Sequence, residues 1–237
     1  MLVGEQNLVK QPSDIGSMAP DILSKLPATQ DSGAGVMTDG TTIIACKYDG
    51  GIMLAADGRS ANSMFVGNPC SDKLEPIHQR IYCQRSGTSA HTSTIAKYVR
   101  YYIDVQSNEL GNLPPVRSAA GIMREIIYNN RNALSASMIC SGWDPYEGYQ
   151  IYSVNQHGFH AEGDYAVSGS GSIFIMGYFD AYYQPGMSRT AIKEFLKQCI
   201  ALAVYRDPSS GGCCRLLDIT EQKVEREFHE YKTFPIQ

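Results

Sequence analysis

The sequence predicts an α+β domain in which sheets are covered by pairs of helices. Two observations carry that expectation. Apolar patterns follow the order strands, two helices, strands, two helices, strands, and the strand-by-strand helix alternation of a βαβ fold is missing. No segment recurs at the period of roughly 20–50 residues that marks a repeat protein. At 237 residues, 43% of them hydrophobic, the chain is long enough to bury one sizeable core.

The elements can be justified in turn. Residues 1–40 are rich in Pro, Gly, Ser, Asp and Gln, lack periodicity and end in Asp31-Ser-Gly-Ala-Gly-Val-Met-Thr-Asp-Gly40, a stretch that would build no core of its own. From Thr42 the pattern tightens. Thr42–Lys47 and Ile52–Ala56 are apolar runs flanking Tyr48-Asp-Gly-Gly51, a strong hairpin signal, and Ile77–Cys83 reads as a further strand. Helical spacing follows in Ile95, Tyr98, Val99, Tyr102 and Ile103, and again in Ala119, Ile122, Met123, Ile126 and Ile127, with Gly111–Pro115 as the loop between. Strands resume at Ser137–Ser141, Gln150–Val154, Gly158–Glu162 and Tyr165–Val167. Ser172–Tyr183 is apolar on most faces and is expected to be a buried helix. In Thr190–Arg206 one stripe holds Ile192, Phe195, Leu196, Cys199, Leu202 and Ala203. Strands at Cys213–Thr220 and Lys223–Phe228 close the domain.

Composition excludes several function classes. Five of 24 acidic and two of 20 basic residues fall in residues 1–40, which leaves 19 against 18 in the remainder. That near-neutral balance, without a run of Lys and Arg, gives no nucleic-acid footprint. No apolar run reaches the ~20 residues of a membrane helix, and the first residues lack the basic start and apolar core of a secretory signal. Seven cysteines, with no Cys-x-x-Cys, suggest neither a disulfide framework nor a zinc site. Most lie in apolar runs as small hydrophobes, and a cytoplasmic and nuclear location is expected.

The common catalytic constellations are missing too. There is no Gly-x-Ser-x-Gly elbow and no His-Glu-x-x-His. His157-x-x-His160 lies on a turn and strand, a spacing that puts the rings on opposite faces, so it is not read as a metal site. Ser168-Gly-Ser-Gly-Ser172 precedes a helix but lacks the lysine and spacing of a phosphate-binding loop. No cofactor or metal is called for.

What stands out is Gly40-Thr41-Thr42-Ile-Ile-Ala, with Ala55-Ala-Asp57-Gly-Arg59 and Cys70-Ser-Asp72-Lys73-Leu. Further along come Arg85-Ser-Gly87, Ser141-Gly-Trp143-Asp144, Gly169-Ser170-Gly171-Ser172 and Arg206-Asp207-Pro-Ser-Ser210-Gly-Gly212. Each piece alone has an ordinary reading as a cap, turn or surface ion pair. Together, in order and at these spacings, they resemble the proteasome β subunits, and the resemblance covers residues 41–237. It implies a four-layer αββα sandwich of two antiparallel sheets, the N-terminal-nucleophile hydrolase fold, and a propeptide, residues 1–40, cut away between Gly40 and Thr41.

The resemblance also implies roles. Thr41 to Asp57 and Thr41 to Lys73 reproduce the family's intervals of 16 and 32 residues from its nucleophile, and Thr42 misses both by one, so Thr41 is the expected nucleophile. A threonine hydroxyl needs a base, and an α-amino group, titrating near ~7.7–8.0, would supply one once Gly40 is removed. Buried and alone, Lys73 would be driven towards neutrality, whereas Asp57 beside it would keep it charged. Gly87 matches the oxyanion-hole donor, and Ser170, Asp207 and Ser210 match the residues that position the new amino terminus.

Arg85 matches the base of the specificity pocket in the caspase-like catalytic type (beta type-1), which implies cleavage after acidic residues. There a guanidinium would pair with a substrate carboxylate. Pro69-Cys70 and Gly58 depart from that type's pattern, and Cys70 is expected near the pocket wall. The implied partners are other proteasome α and β subunits in a four-ring core and unfolded polypeptide substrates. The alternatives are a non-catalytic ring subunit and a simpler threonine protease of bacterial type. Non-catalytic subunits typically lose the processed Gly-Thr or the lysine, and this chain has both.

Overall fold

A computed structural model describes residues 40–62 and 65–230. The expected leader, apart from Gly40, lies outside the described residues. In chain order the elements are β1 Ile43–Tyr48, β2 Gly51–Asp57, β3 Ser60–Asn62, β4 Phe65–Asn68, β5 Leu74–His78, β6 Ile81–Gly87, α1 Ser89–Leu110, α2 Val116–Asn129, β7 Ala136–Asp144, β8 Gly148–Val154, β9 His160–Glu162, β10 Tyr165–Ser168, α3 Ser172–Tyr182, α4 Arg189–Arg206, β11 Cys213–Ile219 and β12 Val224–Glu230. One five-stranded antiparallel sheet has the order β10-β1-β2-β11-β12, and a second has β5-β6-β7-β8-β9.

Three apolar clusters order these parts into four layers. Ile43, Ala45, Ile52 and Leu54 of the first sheet meet Leu74, Ile139 and Ile151 of the second. On the outer face of the first sheet, Ile44, Cys46, Met53 and Ala55 pack against Ile175, Phe179, Ile192 and Leu196 of α3 and α4. On the outer face of the second, Cys83, Met138, Cys140 and Val154 pack against Ile95, Val99, Met123 and Ile127 of α1 and α2. Alternation along a strand sends neighbouring residues to opposite faces. Because both faces of β1 and β2 are covered, those strands read as unbroken apolar runs. The αββα sandwich expected from the sequence is the fold observed.

Turns set the register. Gly50 takes φ +99° in the two-residue connection from β1 to β2, a conformation that favours glycine, and Tyr48 then faces Gly51. The expected strand Ile77–Cys83 is in fact the junction of β5 and β6, which reverse at Gln79-Arg80. Neither residue carries a turn signature, so the reversal has no mark in the sequence. The β3–β4 hairpin was also not anticipated.

One further expectation is corrected. Of α3, only Ile175 and Phe179 are buried, while Ile173 is 74% exposed and Phe174 and Met176 are also exposed. The helix leans on its sheet by one stripe alone, so among the described residues its apolar outer face stays exposed.

Asp144, at the end of β7, ties β7, β8 and α2 together. Its Oδ2 accepts from the Val116 N–H at 2.8 Å and from Gln150 Nε2 at 2.6 Å, and its Oδ1 accepts from the Tyr146 and Glu147 N–H groups at 2.9 and 2.8 Å. Burial acts to raise this carboxyl's pKa, but those donors outweigh it and hold the group below the usual carboxylate range. Asp144→Ala should therefore destabilise the chain by about 3 kcal/mol, the upper part of the range for orphaned buried partners. Asp144→Asn should cost less. Equal denaturant midpoints for wild type and Asp144→Ala would show that the carboxylate does not organise this corner.

Candidate active site

The amino-terminal edge of β1, the end of β2 and the start of β5 converge where the two sheets meet. Thr41 precedes β1, Asp57 ends β2, and Lys73 stands one residue before β5. Asp57 is fully buried and Lys73 nearly so, with Lys73 Nζ 2.5 Å from Asp57 Oδ1. The pair therefore bridges the sheets.

Every lone pair direction of the Asp57 carboxylate is used. Oδ1 also accepts from the Thr42 N–H at 2.8 Å, and Oδ2 accepts from the Arg59 and Gly211 N–H groups at 3.1 and 3.0 Å. Such donors offset the cost of burying an ion. For Lys73 burial is the largest influence and lowers its pKa below that of an ordinary lysine; the attraction of Asp57 opposes this without overcoming it. Both expected influences on Lys73 are present, the drive towards neutrality from burial and the opposing pull of Asp57, and burial is the larger. The ammonium gives up its proton more readily than a solvated one.

Thr41 sits on this pair, 4% exposed. The chain is continuous through residue 40, so the Thr41 nitrogen is here a peptide amide, and it donates to Ser170 Oγ at 3.1 Å. The Thr41 hydroxyl donates to the Gly40 carbonyl at 2.7 Å, and Lys73 Nζ donates to that same oxygen at 3.3 Å. A hydroxyl and a cation thus converge on the peptide bond that precedes Thr41.

Behind it lies a second carboxylate cluster. Asp207, which caps the C-terminal end of α4, accepts at Oδ2 from the Ser170 and Ser210 hydroxyls, both at 2.7 Å, and at Oδ1 from the Ser209 N–H and hydroxyl at 3.0 and 2.6 Å. The Thr42 and Ser210 hydroxyls share a hydrogen bond of 2.8 Å. Burial acts to raise the Asp207 pKa, but the bonds from Ser209, Ser210 and Ser170 prevail and the carboxyl lies below its usual range.

Glycines let the backbones close around Thr41. Gly169 has φ +95°, and a Cβ there would stand 2.1 Å from the Thr41 carbonyl oxygen. The Gly171 N–H donates to that oxygen at 3.2 Å. The Ser168–Ser172 loop is therefore the cradle of Thr41, its backbone committed to the chain itself. Gly40 meets the same demand, since a Cβ on it would fall 2.0 Å from that of Ser209.

A small cleft opens in front of Thr41, lined by Gly40, Lys73, Arg85, Gly87, Ser71 and Thr92 among others. Gly87 and Arg85 thus face the same opening as the hydroxyl. Gly87 takes φ +101°, where an added Cβ would be 2.6 Å from the Ser135 carbonyl. The Arg85 guanidinium is held by Ser93 Oγ, by the Asp72 carbonyl at 2.8 Å and by Glu75 at 3.6 Å, while its buried Nε has no partner. Cys70 lies beside the wall of the cleft, as expected, without lining it. Ser71 lines it, and the Cys70 side chain turns to Cys213.

All six expected Thr41-centred residues, Thr41, Asp57, Lys73, Ser170, Asp207 and Ser210, thus join one hydrogen-bonded network. Sequence reasoning missed Ser209 and Arg59. Ser209 is the first serine of the quoted Ser-Ser-Gly-Gly, so the signal was present but was assigned to its neighbour. Arg59 donates to the Pro208 carbonyl at 2.7 Å and steadies the same loop.

Linkage gives this network a pH signature. A carboxyl whose folded pKa is depressed contributes stability that is present above its unfolded value, ~3.9, and lost as pH falls through the folded value. Ser170→Ala removes one donor and lets the Asp207 pKa rise. The acid-unfolding midpoint of the variant should then lie at higher pH than that of wild type. Coincident acid transitions would mean that Ser170 does not hold Asp207 ionised.

Comparison with known proteins places this geometry in context. The family described as Proteasome subunit matches residues 37–219. The chain is 41% identical over 188 residues to "Proteasome subunit beta type-6" of Dictyostelium discoideum, covering 79% of this chain and 88% of that one. It is 42% identical over 192 residues to "Proteasome subunit beta type-9" of Homo sapiens, covering 81% and 87%. Against "Probable proteasome subunit beta type-1" of Schizosaccharomyces pombe it is 38% identical over 199 residues, covering 84% and 88%.

Proposed function

We propose that this chain, which belongs to the proteasome β-subunit family, is a catalytic member of it: a threonine endopeptidase, matured by cleavage between Gly40 and Thr41, that cuts after acidic residues. One observation carries the reading. The Thr41 hydroxyl and the Lys73 ammonium meet at the Gly40 carbonyl above a fully hydrogen-bonded Asp57.

Maturation follows from that arrangement. The Thr41 hydroxyl lies against the Gly40 carbonyl, and Lys73, donating to that oxygen, stabilises the charge that forms on it when the Thr41 oxygen attacks the carbon. The C–N bond before Thr41 then breaks, the hydroxyl proton passes to the Thr41 nitrogen as the acyl group passes to the hydroxyl oxygen, and water hydrolyses that ester to release residues 1–40 as a propeptide and restore the hydroxyl. The freed α-amino group is held where the amide now bonds Ser170, with Asp207 and Ser210 behind it.

Peptide hydrolysis reuses the same atoms. The new amino group takes the proton of the Thr41 hydroxyl as it attacks the substrate carbonyl. Lys73 places positive charge beside that oxygen, and Asp57 fixes Lys73 in position. The Gly87 N–H receives the oxyanion; as it collapses the substrate C–N bond breaks and the α-amino group passes its proton to the leaving amine, and water then hydrolyses the acyl-threonine ester to free the acid and the hydroxyl. Asp57, Ser170, Asp207 and Ser210 act by positioning. No cofactor or metal enters the scheme.

The exposed apolar face of α3 supports assembly with other α and β subunits into a core particle that receives unfolded polypeptides. The compartment proposed is cytoplasm and nucleus, where thiols stay reduced.

Thr41→Ala should abolish cleavage of acidic-site peptides by the assembled particle, and Thr41→Ser should retain part of it. Lys73→Ala should assemble yet lose activity as Thr41→Ala does. Undiminished turnover in Thr41→Ala, with the other active sites silenced, would refute the nucleophile.

Specificity rests on Arg85. A substrate carboxylate in the cleft would pair with the guanidinium and compete with Glu75 for it. A desolvated charged hydrogen bond contributes about 1.5–3 kcal/mol, roughly ten- to a hundredfold in rate. Arg85→Ala should lower kcat/KM by that factor for a Glu peptide and spare its Leu counterpart. Equal losses on both peptides would assign Arg85 to the Glu75 and Ser93 contacts alone.

A further inference from the structure

Of the seven cysteines, six are buried and Cys70 is exposed. Cys70 and Cys213 are 143 residues apart, yet their sulfurs lie 3.3 Å from one another. Two departures from the expected pattern produce this contact. Cys70 brings one thiol, and Gly58 leaves room for the other: a Cβ on Gly58 would stand 2.2 Å from Cys213 Sγ, 3.3 Å from the Cys213 nitrogen and 3.4 Å from Cys70 Cα. The two backbones therefore meet across a glycine. Gly212, at φ +83°, lets them meet again, since its Cβ would lie 1.8 Å from the Pro69 carbonyl oxygen.

The surroundings differ for the two sulfurs. Arg215 donates to the Cys70 carbonyl at 3.0 Å and places its guanidinium 3.6 Å from Cys70 Sγ. A cation beside an exposed sulfur is the setting of a reactive thiol. Cys213 is buried, and burial, aided by the Cys70 contact, pushes its thiol up to about 12. One sulfur can meet an oxidant, and the other is placed to resolve the product.

We propose that Cys70 and Cys213 form a hydroperoxide-responsive dithiol that closes to a disulfide beside the Thr41 site. The Cys70 thiolate attacks one peroxide oxygen; the O–O bond breaks, hydroxide leaves and Cys70 becomes a sulfenic acid. The Cys213 sulfur then displaces the sulfenic hydroxyl. The S–S bond forms as the S–O bond breaks, and the departing hydroxide takes the Cys213 proton as water. Two electrons pass from the sulfur pair to the peroxide, so no further reductant or oxidant is needed. Closure from 3.3 Å to the ~2.05 Å of a disulfide asks for little movement.

The bond would clamp two segments that serve the site. Cys70 leads through Ser71, which lines the cleft, to Lys73, and Cys213 follows Gly211, whose N–H holds Asp57. Further bonds already join these segments: the Ser71 N–H donates to the Gly58 carbonyl at 2.7 Å, and the Gly58 and Arg59 N–H groups donate to the Gly211 carbonyl at 3.0 and 2.8 Å.

The test treats the folded chain with hydrogen peroxide, blocks remaining thiols with iodoacetamide and maps peptides with and without dithiothreitol. Wild type should lose two hydrogens of mass and yield a Cys70–Cys213 cross-link that dithiothreitol reverses. Cys70→Ser and Cys213→Ser should lose the cross-link, and Cys214→Ser should keep it. Cys70 should become resistant to iodoacetamide in oxidised wild type but remain reactive, or proceed to the sulfinic acid, in Cys213→Ser. If Cys213→Ser fails to fold, the wild-type map and Cys70→Ser decide the matter. Sulfinic acid at Cys70 of wild type with Cys213 still alkylated, or a link to any other cysteine, would overturn the proposal. None of these readouts depends on catalysis at Thr41, so they stand apart from the catalytic reading.

Discussion

The buried contact between Asp57 and Lys73 is the constraint on which the rest of the molecule depends. Each residue comes from a different sheet, and neither charge is tolerable alone: breaking such a pair typically costs about 3–5 kcal/mol. The carboxylate survives burial because it also receives the N–H groups of Thr42, Arg59 and Gly211. Those three bonds fix the chain at Thr41-Thr42, at the turn after β2 and at the loop before β11. One buried anion thus sets the three backbones that surround the hydroxyl.

The layered core makes that economy possible. The inter-sheet cluster of Ile43, Leu54, Ile139 and Ile151 is fully buried, and Gln84 reaches across to the first sheet, donating to the Ile44 and Ala55 carbonyls at 3.0 and 2.9 Å. A polar link of this kind pins one sheet to the other in a single register. With the sheets locked, a carboxylate on β2 and a lysine before β5 meet without adjustment. The second carboxylate, Asp207, arrives from the helix layer and takes four bonds from three serines. Two anions from different layers therefore hold Thr41 from opposite sides, one towards its hydroxyl and one towards its nitrogen.

Much of this was legible in the sequence, for reasons that can be named. Apolar runs at β1 and β2 and the stripes of α1, α2 and α4 report burial directly, because burial is what periodicity encodes. Asp57, Lys73, Ser170 and Asp207 were found by resemblance at fixed spacing and not by composition, since an isolated acid or serine looks the same in a cap as in a site. What escaped depended on three-dimensional proximity. The β5–β6 reversal falls on Gln79-Arg80, which carry no turn chemistry, and the outer face of α3 looks like core because exposed apolar residues and those facing a sheet are written alike. The meeting of Cys70 with Cys213 depends on the small size of Gly58, which no local pattern announces.

The central claim is that the buried pair serves a hydroxyl that frees its own amino terminus, and that this hydroxyl belongs to Thr41. The most direct measurement is the intact mass, with amino-terminal sequencing, of the wild-type chain recovered from assembled particles. The expected result is a chain whose first residue is Thr41. A chain that retains Gly40, or one that begins at Thr42, would contradict it.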